Sequence, residues 1–169
     1  MNNTNKPKTI NYERAKWLAL YYLGIKARTE SEIRKKLKNK GADEALCDKT
    51  VDFLKEYGYI NDAEYARLYI KDACNLKKHG CRRIKCDLRM KGVSDIILED
   101  VMAELELDFS DPLHQLIEKK AKGLDLCDPK HKNRLVAFLQ RRGYGMSEIF
   151  CAIGEYCDNK ECQDDFPDL

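Results

Sequence analysis

The stretch Ile33–Gly41, IRKKLKNKG, decides the fold because its pattern returns twice, each time 51 residues further along the chain. The second copy is Ile84–Gly92, IKCDLRMKG, and the third is Leu135–Gly143, LVAFLQRRG. Each copy holds an apolar residue, a leucine, a basic residue and a glycine at the same four places. A fixed period of this length marks a protein built from stacked repeats. Such an array presents an extended surface that suits a polymer or a large partner better than a deep catalytic pocket would.

Apolar residues recur at helical spacing along the rest of the chain, and strand signals are almost absent. The pattern predicts nine helices, three in each repeat. We therefore predict an all-α protein in which three tandem three-helix repeats form an elongated, curved array. The predicted divisions are an N-terminal extension over 1–10, repeats over 11–60, 61–110 and 111–157, and an acidic, disordered tail over 158–169.

The three glycines that close the copies, Gly41, Gly92 and Gly143, each follow a basic residue. A glycine at this place ends a helix in the left-handed conformation, which a Cβ atom would disfavour. The preceding cation lies near the negative end of the helix dipole, where a positive charge is favourable. The fold therefore explains both positions, and a binding role for these cations would be additional.

The helical stripes also predict which side chains are buried. Ile33, Leu37 and their equivalents in the other two copies are expected to face the core, and Phe150 is expected to face inward from the last helix. The first helix carries a broad apolar stripe formed by Trp17, Leu18, Tyr21, Tyr22 and Ile25. Tyrosines can stack on bases, but most of those in this chain lie in such stripes and are predicted to belong to the core; they are Tyr21, Tyr22, Tyr57, Tyr59, Tyr65 and Tyr69.

The composition supplies both a core and a solvated face, since 43% of the 169 residues are apolar and 36% are charged. The chain contains no apolar run of the ~20 residues that a membrane span requires. Its first residues, MNNTNKPKTI, lack the apolar stretch of a secretory signal. We therefore expect a cytoplasmic protein without membrane contact.

Eight cysteines raise the question of disulfides or a metal. A chain of this length can bury its own core, so it does not need the disulfides of small secreted scaffolds. The densest group, Cys74, His79, Cys81 and Cys86, matches the spacing of no common zinc module. We favour reduced, structural cysteines and expect no metal or cofactor. The cysteines in helical patterns, which are expected to pack as small apolar residues, are Cys47, Cys74, Cys86 and Cys151.

The sequence lacks the common catalytic motifs GxxxxGK[ST], GxGxxG after a strand, HExxH and GxSxG. Its three histidines, His79, His114 and His131, are spread over two repeats. Helical geometry brings together no Ser/His/Asp or Cys/His grouping. We expect a protein that is not an enzyme.

The second helix of each repeat is its most basic segment. Arg34 and Lys38 each follow a predicted core residue by one place, as do Lys85 and Arg89, so these cations lie along one edge of the buried face. In a stacked array such edges would form a positive surface for phosphates or for an acidic protein groove. Surface lysines can also merely solvate helices, but recurrence on the same helix of all three repeats favours binding. The predicted binding residues are Arg34, Lys35, Lys38, Arg82, Arg83, Lys85, Arg89, Lys91, Arg134, Arg141 and Arg142.

Four segments in order resemble the RecX family, whose members regulate the RecA recombinase. RTESEIRKKLKNKG (28–41) is similar to the motif of the family's first repeat. GYINDAEYARLYIKD (58–72) is similar to its linker and next helix, and HGCRRIKCDLRMKGVSDIILEDVM (79–102) to its central and following helices. FLQRRGYGMSEI (138–149) resembles the final Leu-x-x-Arg-Gly-aromatic segment. No single segment is specific, but four of them at repeat spacing are.

The resemblance implies a three-repeat helical modulator without a catalytic centre. Family members bind RecA filaments on DNA in the helical groove and restrain ATP hydrolysis, strand exchange and co-protease activity, and they also bind DNA directly. The implied partners are therefore the RecA filament and single- and double-stranded DNA, and we expect a monomer. Two other functions stay open: a nucleic-acid-binding protein that acts alone, and a helical scaffold that binds peptides through apolar contacts.

Overall fold

The computed structural model describes the backbone of residues 9–164 and the side chains of residues 9–159. Within that range the chain forms nine α-helices and no β-strand, which confirms the all-α class and the three three-helix repeats. None of these helices combines the length and the hydrophobicity that a membrane crossing requires. In chain order they are α1 (Tyr12–Ile25), α2 (Glu30–Lys38), α3 (Glu44–Glu56), α4 (Asp62–Asn75), α5 (Cys81–Met90), α6 (Asp95–Leu105), α7 (Ser110–Ala121), α8 (Pro129–Arg141) and α9 (Met146–Asp164).

The ends of the middle helices, α2, α5 and α8, follow from local sequence. At the start of α2, Thr29 Oγ1 accepts a hydrogen bond from the backbone N–H of Glu32 at 3.2 Å, and the Glu32 carboxylate accepts one from the N–H of Thr29 at 3.4 Å. This capping box satisfies two backbone donors that have no partner within the helix. Gly41, Gly92 and Gly143 have φ values of 94°, 81° and 95°, so the predicted left-handed helix ends are confirmed.

The repeated apolar positions form the core, as predicted. They are buried in every copy, with exposed fractions between 0% and 4%: Ile33, Leu37, Ile84, Leu88, Leu135 and Leu139. One apolar cluster joins α1, α2 and α3, and a second joins α7, α8 and α9. Each cluster fixes the orientation of one basic middle helix by burying one of its faces.

The chain divides into two compact units, and the division does not follow the repeats. Residues up to Leu68 together with Leu88–Val101 form the first unit. Tyr69–Asp87 together with the residues from Met102 form the second. The boundary therefore passes through α4, α5 and α6, so that the two ends of α5 belong to different units.

In the first unit, the C-terminal end of α5 packs directly on the N-terminal end of α2. Thr29 is fully buried there, and its hydroxyl donates a hydrogen bond of 2.6 Å to the carbonyl oxygen of Lys91. A Cβ atom on Gly92 would lie 2.2 Å from the Cβ of Ser31. Gly92 is therefore required twice, for its positive φ and for the close approach of the two helix ends. The Asp62 carboxylate at the start of α4 also binds this end of α2, where it accepts a hydrogen bond from the backbone N–H of Glu30 at 2.9 Å.

In the second unit, the C-terminal end of α8 packs on the N-terminal end of α5 in the same way. The N–H of Gly80 donates to the carbonyl oxygen of Arg142 at 2.9 Å, and the N–H of Arg82 donates to that of Gly143 at 3.2 Å. A Cβ atom on Gly143 would lie 2.4 Å from the backbone nitrogen of Arg83. We call these two contacts, one in each unit, the helix-end joints. Two of the three repeated glycines, Gly92 and Gly143, thus form a joint as well as a helix end.

Several aromatic side chains predicted to be buried are exposed. The prediction is wrong for Trp17, Tyr21 and Ile25, which are 52%, 53% and 60% exposed. The core-facing stripe of α1 is narrow because small residues such as Ala15 and Ala19 pack against α2 and α3, so the outer part of the broad stripe faces solvent. Aromatic residues at two other places in the chain are likewise exposed: Tyr57, Tyr59 and Phe150.

The cysteine prediction is half right. Cys47 and Cys74 are fully buried, and burial raises the pKa of both thiols, as expected for cysteines that pack as small apolar residues. Cys86 and Cys151 are exposed instead, because they lie on the outer faces of α5 and α9. Helical periodicity identified their helices but not their faces.

The prediction of a disordered tail over 158–169 is wrong for its first seven residues. Helix α9 continues through Asp164, so residues 158–164 are helical rather than disordered. The sequence contains no glycine or proline between Gly154 and Asp164, so no residue that disfavours a helix interrupts this part of α9. The rest of the predicted tail, 165–169, and most of the predicted N-terminal extension, 1–8, lie outside the described residues.

The joint in the first unit makes a prediction about glycine substitutions. Gly58 also has a positive φ, 69°, but its Cβ position is open, so Gly58→Ala should cost only about 1–2 kcal/mol of unfolding free energy. Gly92→Ala should cost a further ~1–3 kcal/mol because the new methyl group overlaps Ser31. The difference between the two variants, measured by urea unfolding, isolates the contact.

Ser31→Gly provides the second arm of this test. Removing the Ser31 side chain should restore most of the extra loss in the Gly92→Ala background, so the two substitutions should be strongly non-additive. If the two unfolding free energies simply add, the close approach of Gly92 and Ser31 does not hold the joint.

Candidate functional site

The eleven predicted binding cations all lie on the middle helices or directly after them, but their surroundings differ. Those that pair with acidic side chains of the chain are Arg34, Lys38, Arg83, Arg89 and Lys91. Those that form no ion pair with any residue in the described part of the chain are Lys35, Arg82, Lys85, Arg134, Arg141 and Arg142. The structure therefore divides the predicted binding residues into cations that are neutralised by a neighbouring carboxylate and cations that are not.

Arg34 and Lys38 connect α2 to α3. The Arg34 guanidinium binds the carboxylates of Glu30 at 2.8 Å and Asp48 at 2.5 Å, and Lys38 pairs with Glu44. Partial burial opposes the charge of Arg34, but its hydrogen bonds to Asp48 and Glu30 outweigh burial and raise its pKa. The predicted edge of the buried face is therefore occupied by an ion-pair network within the first unit.

Arg83, which is itself exposed, pairs with a buried carboxylate in the second unit. Asp87 is only 8% exposed, and its carboxylate accepts from the Arg83 Nε at 3.0 Å and from the Tyr69 hydroxyl at 3.0 Å. His79 lies beside this group, with its Nδ1 4.0 Å from Asp87, and that nitrogen is buried without a hydrogen-bond partner among the described residues. The side chain of Arg83 is thus fixed by its own helix.

The remaining paired cations hold helix ends in place. Arg89 binds Asp95 at 2.6 Å, across the turn from α5 to α6. Lys91 lies 3.4 Å from Glu32 and 5.5 Å from the centre of the Tyr65 ring, and its hydrogen bond to Tyr65, together with Glu32, raises the pKa of Lys91. Arg142, which forms no ion pair among the described residues, donates to the carbonyl oxygen of Lys77 at 2.5 Å and so also holds a helix end.

A basic groove of about 300 Å³ opens at the joint of the first unit, and we call it the α2 groove. It contains two of the predicted residues, Lys35 and Lys91, and one carboxylate, Glu32, which pairs with Lys91. Prediction from sequence missed two further cations of this groove, Arg28 and Lys36. The complete lining is Arg28, Ser31, Glu32, Lys35, Lys36, Asn39, Met90 and Lys91.

Helical spacing contains the signal that would have identified this face. Residues 32, 35, 36 and 39 follow the i, i+3, i+4, i+7 rule, so they share one face of α2. Arg34 and Lys38 follow the same rule on a different face, towards α3. Sorting the cations of α2 by helical face therefore separates the groove residues Lys35 and Lys36 from the ion-paired Arg34 and Lys38.

A second basic groove, of about 340 Å³, lies between α7 and α8, and we call it the α8 groove. Two predicted residues, Arg134 and Arg141, line it together with Lys120 and His131. The Lys120 ammonium lies 5.3 Å from the ring centre of Phe138, which forms part of the floor. The lining of this groove contains no carboxylate among the described residues, so it is suited to an anion.

A third cavity, of about 330 Å³ between α7 and α9, contains cysteine and histidine but no activated nucleophile among the residues that line it. His114 Nε2 lies 2.8 Å from one carboxylate oxygen of Glu155, and the Cys151 thiol lies 3.3 Å from the other. The hydrogen bond to Glu155 raises the pKa of Cys151, which disfavours the thiolate. Among the described residues, no group of three or more histidine, cysteine or acidic side chains is arranged to hold a metal ion.

Fold and grooves together define a helical repeat protein with positively charged surface grooves. The chain belongs to the RecX family. Models of the family match it in three places, as the first three-helix domain over residues 15–54, the second over 61–102 and the third over 113–153. The family is one of regulatory proteins, and the resemblance seen in the sequence is confirmed.

Individual relatives agree with this assignment. A protein of Clostridium acetobutylicum named Regulatory protein RecX is 32% identical over 145 residues, which cover 82% of this chain and 67% of the relative. One of Vibrio parahaemolyticus with the same name is 35% identical over 122 residues, which cover 72% of this chain and 78% of the relative. The crystal structure of RecX from Lactobacillus salivarius superposes with a TM-score of 0.76 and 28% identity, over 85% of this chain and 95% of that one.

The environment of His79 makes stability depend on pH. Burial lowers the pKa of His79 below its ordinary value, with the positive charge of Arg142 adding to the effect and Asp87 opposing it. Arg83 and Lys77 also face the ring and disfavour its protonation. The unfolded chain then binds a proton in a range, below pH ~6.5, in which the folded chain does not, so acidification lowers the free energy of unfolding.

We expect His79→Asn to lose part of this pH dependence. Urea unfolding of both proteins at neutral pH and at about pH 5.5 measures it, since other titrating groups contribute equally to both. The unaltered protein should lose more stability on acidification than the variant. An equal loss in the two proteins would show that His79 is not held neutral by its surroundings.

Proposed function

We propose that this chain binds RecA filaments on DNA, lodges in the helical groove of the filament, and restrains ATP hydrolysis, strand exchange and co-protease activity. The observation that carries the proposal is the match of all three RecX three-helix domains, in order, to the nine described helices. In this proposal the protein works in the cytoplasm as a monomer and needs neither a cofactor nor a catalytic step.

Binding alone is sufficient for such regulation. Neighbouring subunits of a filament change their arrangement as ATP is hydrolysed. A protein that contacts more than one subunit favours the arrangement to which it binds more tightly, and it shifts the population by no more than that difference in affinity. Nothing in this mechanism requires the chain to form or break a bond.

The eleven predicted cations are the proposed contact residues for RecA or for DNA phosphates, with unequal weight. Lys35, Arg134 and Arg141 line grooves and form no ion pair among the described residues, so their charge is available to an anionic partner. Arg34 and Lys38 already share the carboxylates of α3, so they contribute chiefly by holding α2 in position. The two basic grooves support this distribution of roles.

The alternative is a nucleic-acid-binding protein that acts without RecA, and the same grooves support it. Such a protein would bind bare DNA tightly and leave RecA unaffected. Its affinity would fall steeply with salt, with a log–log slope near −0.9 for each duplex phosphate contacted.

The test is the rate of ATP hydrolysis by RecA on single-stranded DNA, measured against increasing amounts of this protein, with co-sedimentation to measure binding to the filament. The unaltered protein should bind the filament and slow hydrolysis. An unchanged rate together with an absence of filament binding would overturn the proposal.

A charge reversal in the α8 groove refines the assay. The double substitution Arg134→Glu/Arg141→Glu should raise the concentration needed for inhibition by about tenfold or more, a loss of roughly 1.4 kcal/mol or more. The matched control is Lys119→Glu/Lys122→Glu, which makes the same change of charge at exposed residues of the same unit outside the groove. Equal effects of the two variants would mean that net charge acts, and not the groove.

A further inference from the structure

The first unit exposes a pair of parallel aromatic rings that its core does not use. Trp17 and Tyr21 lie one turn apart on α1 and are 52% and 53% exposed. Their ring centres are 5.4 Å apart and their planes differ by only 7°. The guanidinium of Arg14 lies 4.4 Å from the centre of the Trp17 ring. Two flat, half-exposed rings, with a guanidinium over the face of Trp17, form a surface on which another planar group can stack.

The aromatic pair is connected to the α2 groove by Tyr22. The ring of Tyr21 meets that of Tyr22 edge to face, with 5.8 Å between centres. Two cations of the groove lie over the Tyr22 ring. The Lys36 ammonium is 4.7 Å from the ring centre, and the Arg28 guanidinium is 5.8 Å from it. The row of Trp17, Tyr21 and Tyr22 therefore leads, without interruption, from an exposed stacking surface on α1 to a basic groove on α2.

The charge of the groove complements a phosphate backbone. Four cations line it, Arg28, Lys35, Lys36 and Lys91, against the single carboxylate of Glu32 among the described residues. Glu32 is paired with Lys91 and accepts from the N–H of Thr29 in the capping box, so it is already engaged. The surplus is positive, and it lies next to aromatic rings.

We propose that this surface binds single-stranded nucleic acid, with bases stacking on Trp17 and Tyr21 and phosphates lying in the α2 groove. Aromatic stacking platforms beside a basic channel are the general means of binding single strands, because every unpaired base presents a flat face. A duplex keeps its bases stacked inside and can use only the groove. An acidic protein would complement the cations but has no need of parallel, exposed rings.

The inference rests on the proposed function in one respect, namely that a filament on single-stranded DNA brings such a strand to this protein. It gives the first unit a base-contacting site that the basic helices alone do not supply. The site can be tested without RecA, so the two proposals fail separately.

The chain contains one tryptophan, Trp17, so its intrinsic fluorescence reports directly on the proposed site. A dT oligonucleotide of about 12 residues should quench this fluorescence to saturation, since a stacked base lies against the indole. A duplex of matched length should bind more weakly and quench less. Strong binding of the oligonucleotide with no change in Trp17 fluorescence would overturn the assignment.

Substitutions test the site with a labelled oligonucleotide and fluorescence anisotropy. Trp17→Ala/Tyr21→Ala should weaken binding of the single strand by at least about fivefold. Lys35→Gln/Lys36→Gln should weaken it too, and the log–log salt slope should fall by about 0.7 for each phosphate that the variant no longer neutralises. Thermal melts followed by circular dichroism check that the variants fold. We expect them to fold, because Trp17 and Tyr21 are half exposed and are not part of the buried core.

The matched control is Tyr57→Ala/Tyr59→Ala. These rings are 63% and 51% exposed in the same unit, but they pack with Phe53 and not with the α2 groove. Their removal should leave affinity unchanged, and an equal weakening from both pairs would contradict a specific site.

If RecA without DNA quenches Trp17 and the oligonucleotide does not, the rings form a protein-docking surface and the proposal fails. If the oligonucleotide binds as proposed while RecA hydrolysis is unaffected, only the proposed function fails.

Discussion

The structure depends on pairs of helix ends that approach one another so closely that a Cβ atom on the closing glycine would overlap the neighbouring helix. At each helix-end joint a glycine with positive φ ends one middle helix and lies against the first turn of another. Backbone carbonyls at that end accept hydrogen bonds from the neighbouring helix start, from the Thr29 hydroxyl in the first unit and from the amides of Gly80 and Arg82 in the second. A carbonyl group that loses water without gaining a hydrogen-bond partner costs free energy, so these bonds stabilise the joints. The absence of a Cβ atom on each glycine allows the close approach that the bonds require.

The joint in the first unit also creates the surface to which we assign function. The α2 groove is lined by α2 from its first turn onward and by the last residues of α5, so it exists only where the two helix ends meet. Lys91 serves both structure and surface: its carbonyl accepts from Thr29, and its ammonium joins the groove. Gly92, one of the three repeated glycines, therefore links the period of the sequence to a basic groove.

The period and the apolar spacing were sufficient to predict the helices, the left-handed glycines and the repeated core residues, because these are local properties of the chain. What each surface side chain contacts depends on a neighbouring helix, and the sequence pattern did not supply it. Arg34 and Lys35 are adjacent in sequence, yet one pairs with α3 and the other lines a groove. Trp17 and Tyr21 look like core residues by spacing, but small residues on α1 complete the core without them.

The most direct test of the central claim is amide hydrogen exchange at the joint of the second unit. The amides of Gly80 and Arg82 precede or begin a helix, where N–H groups have no partner within the helix and exchange quickly. If the carbonyls of Arg142 and Gly143 accept from them, both amides should be protected as strongly as those of Ile84 and Leu88 in the middle of α5. Rapid exchange at both amides in an otherwise protected helix would contradict the joint and the account built on it.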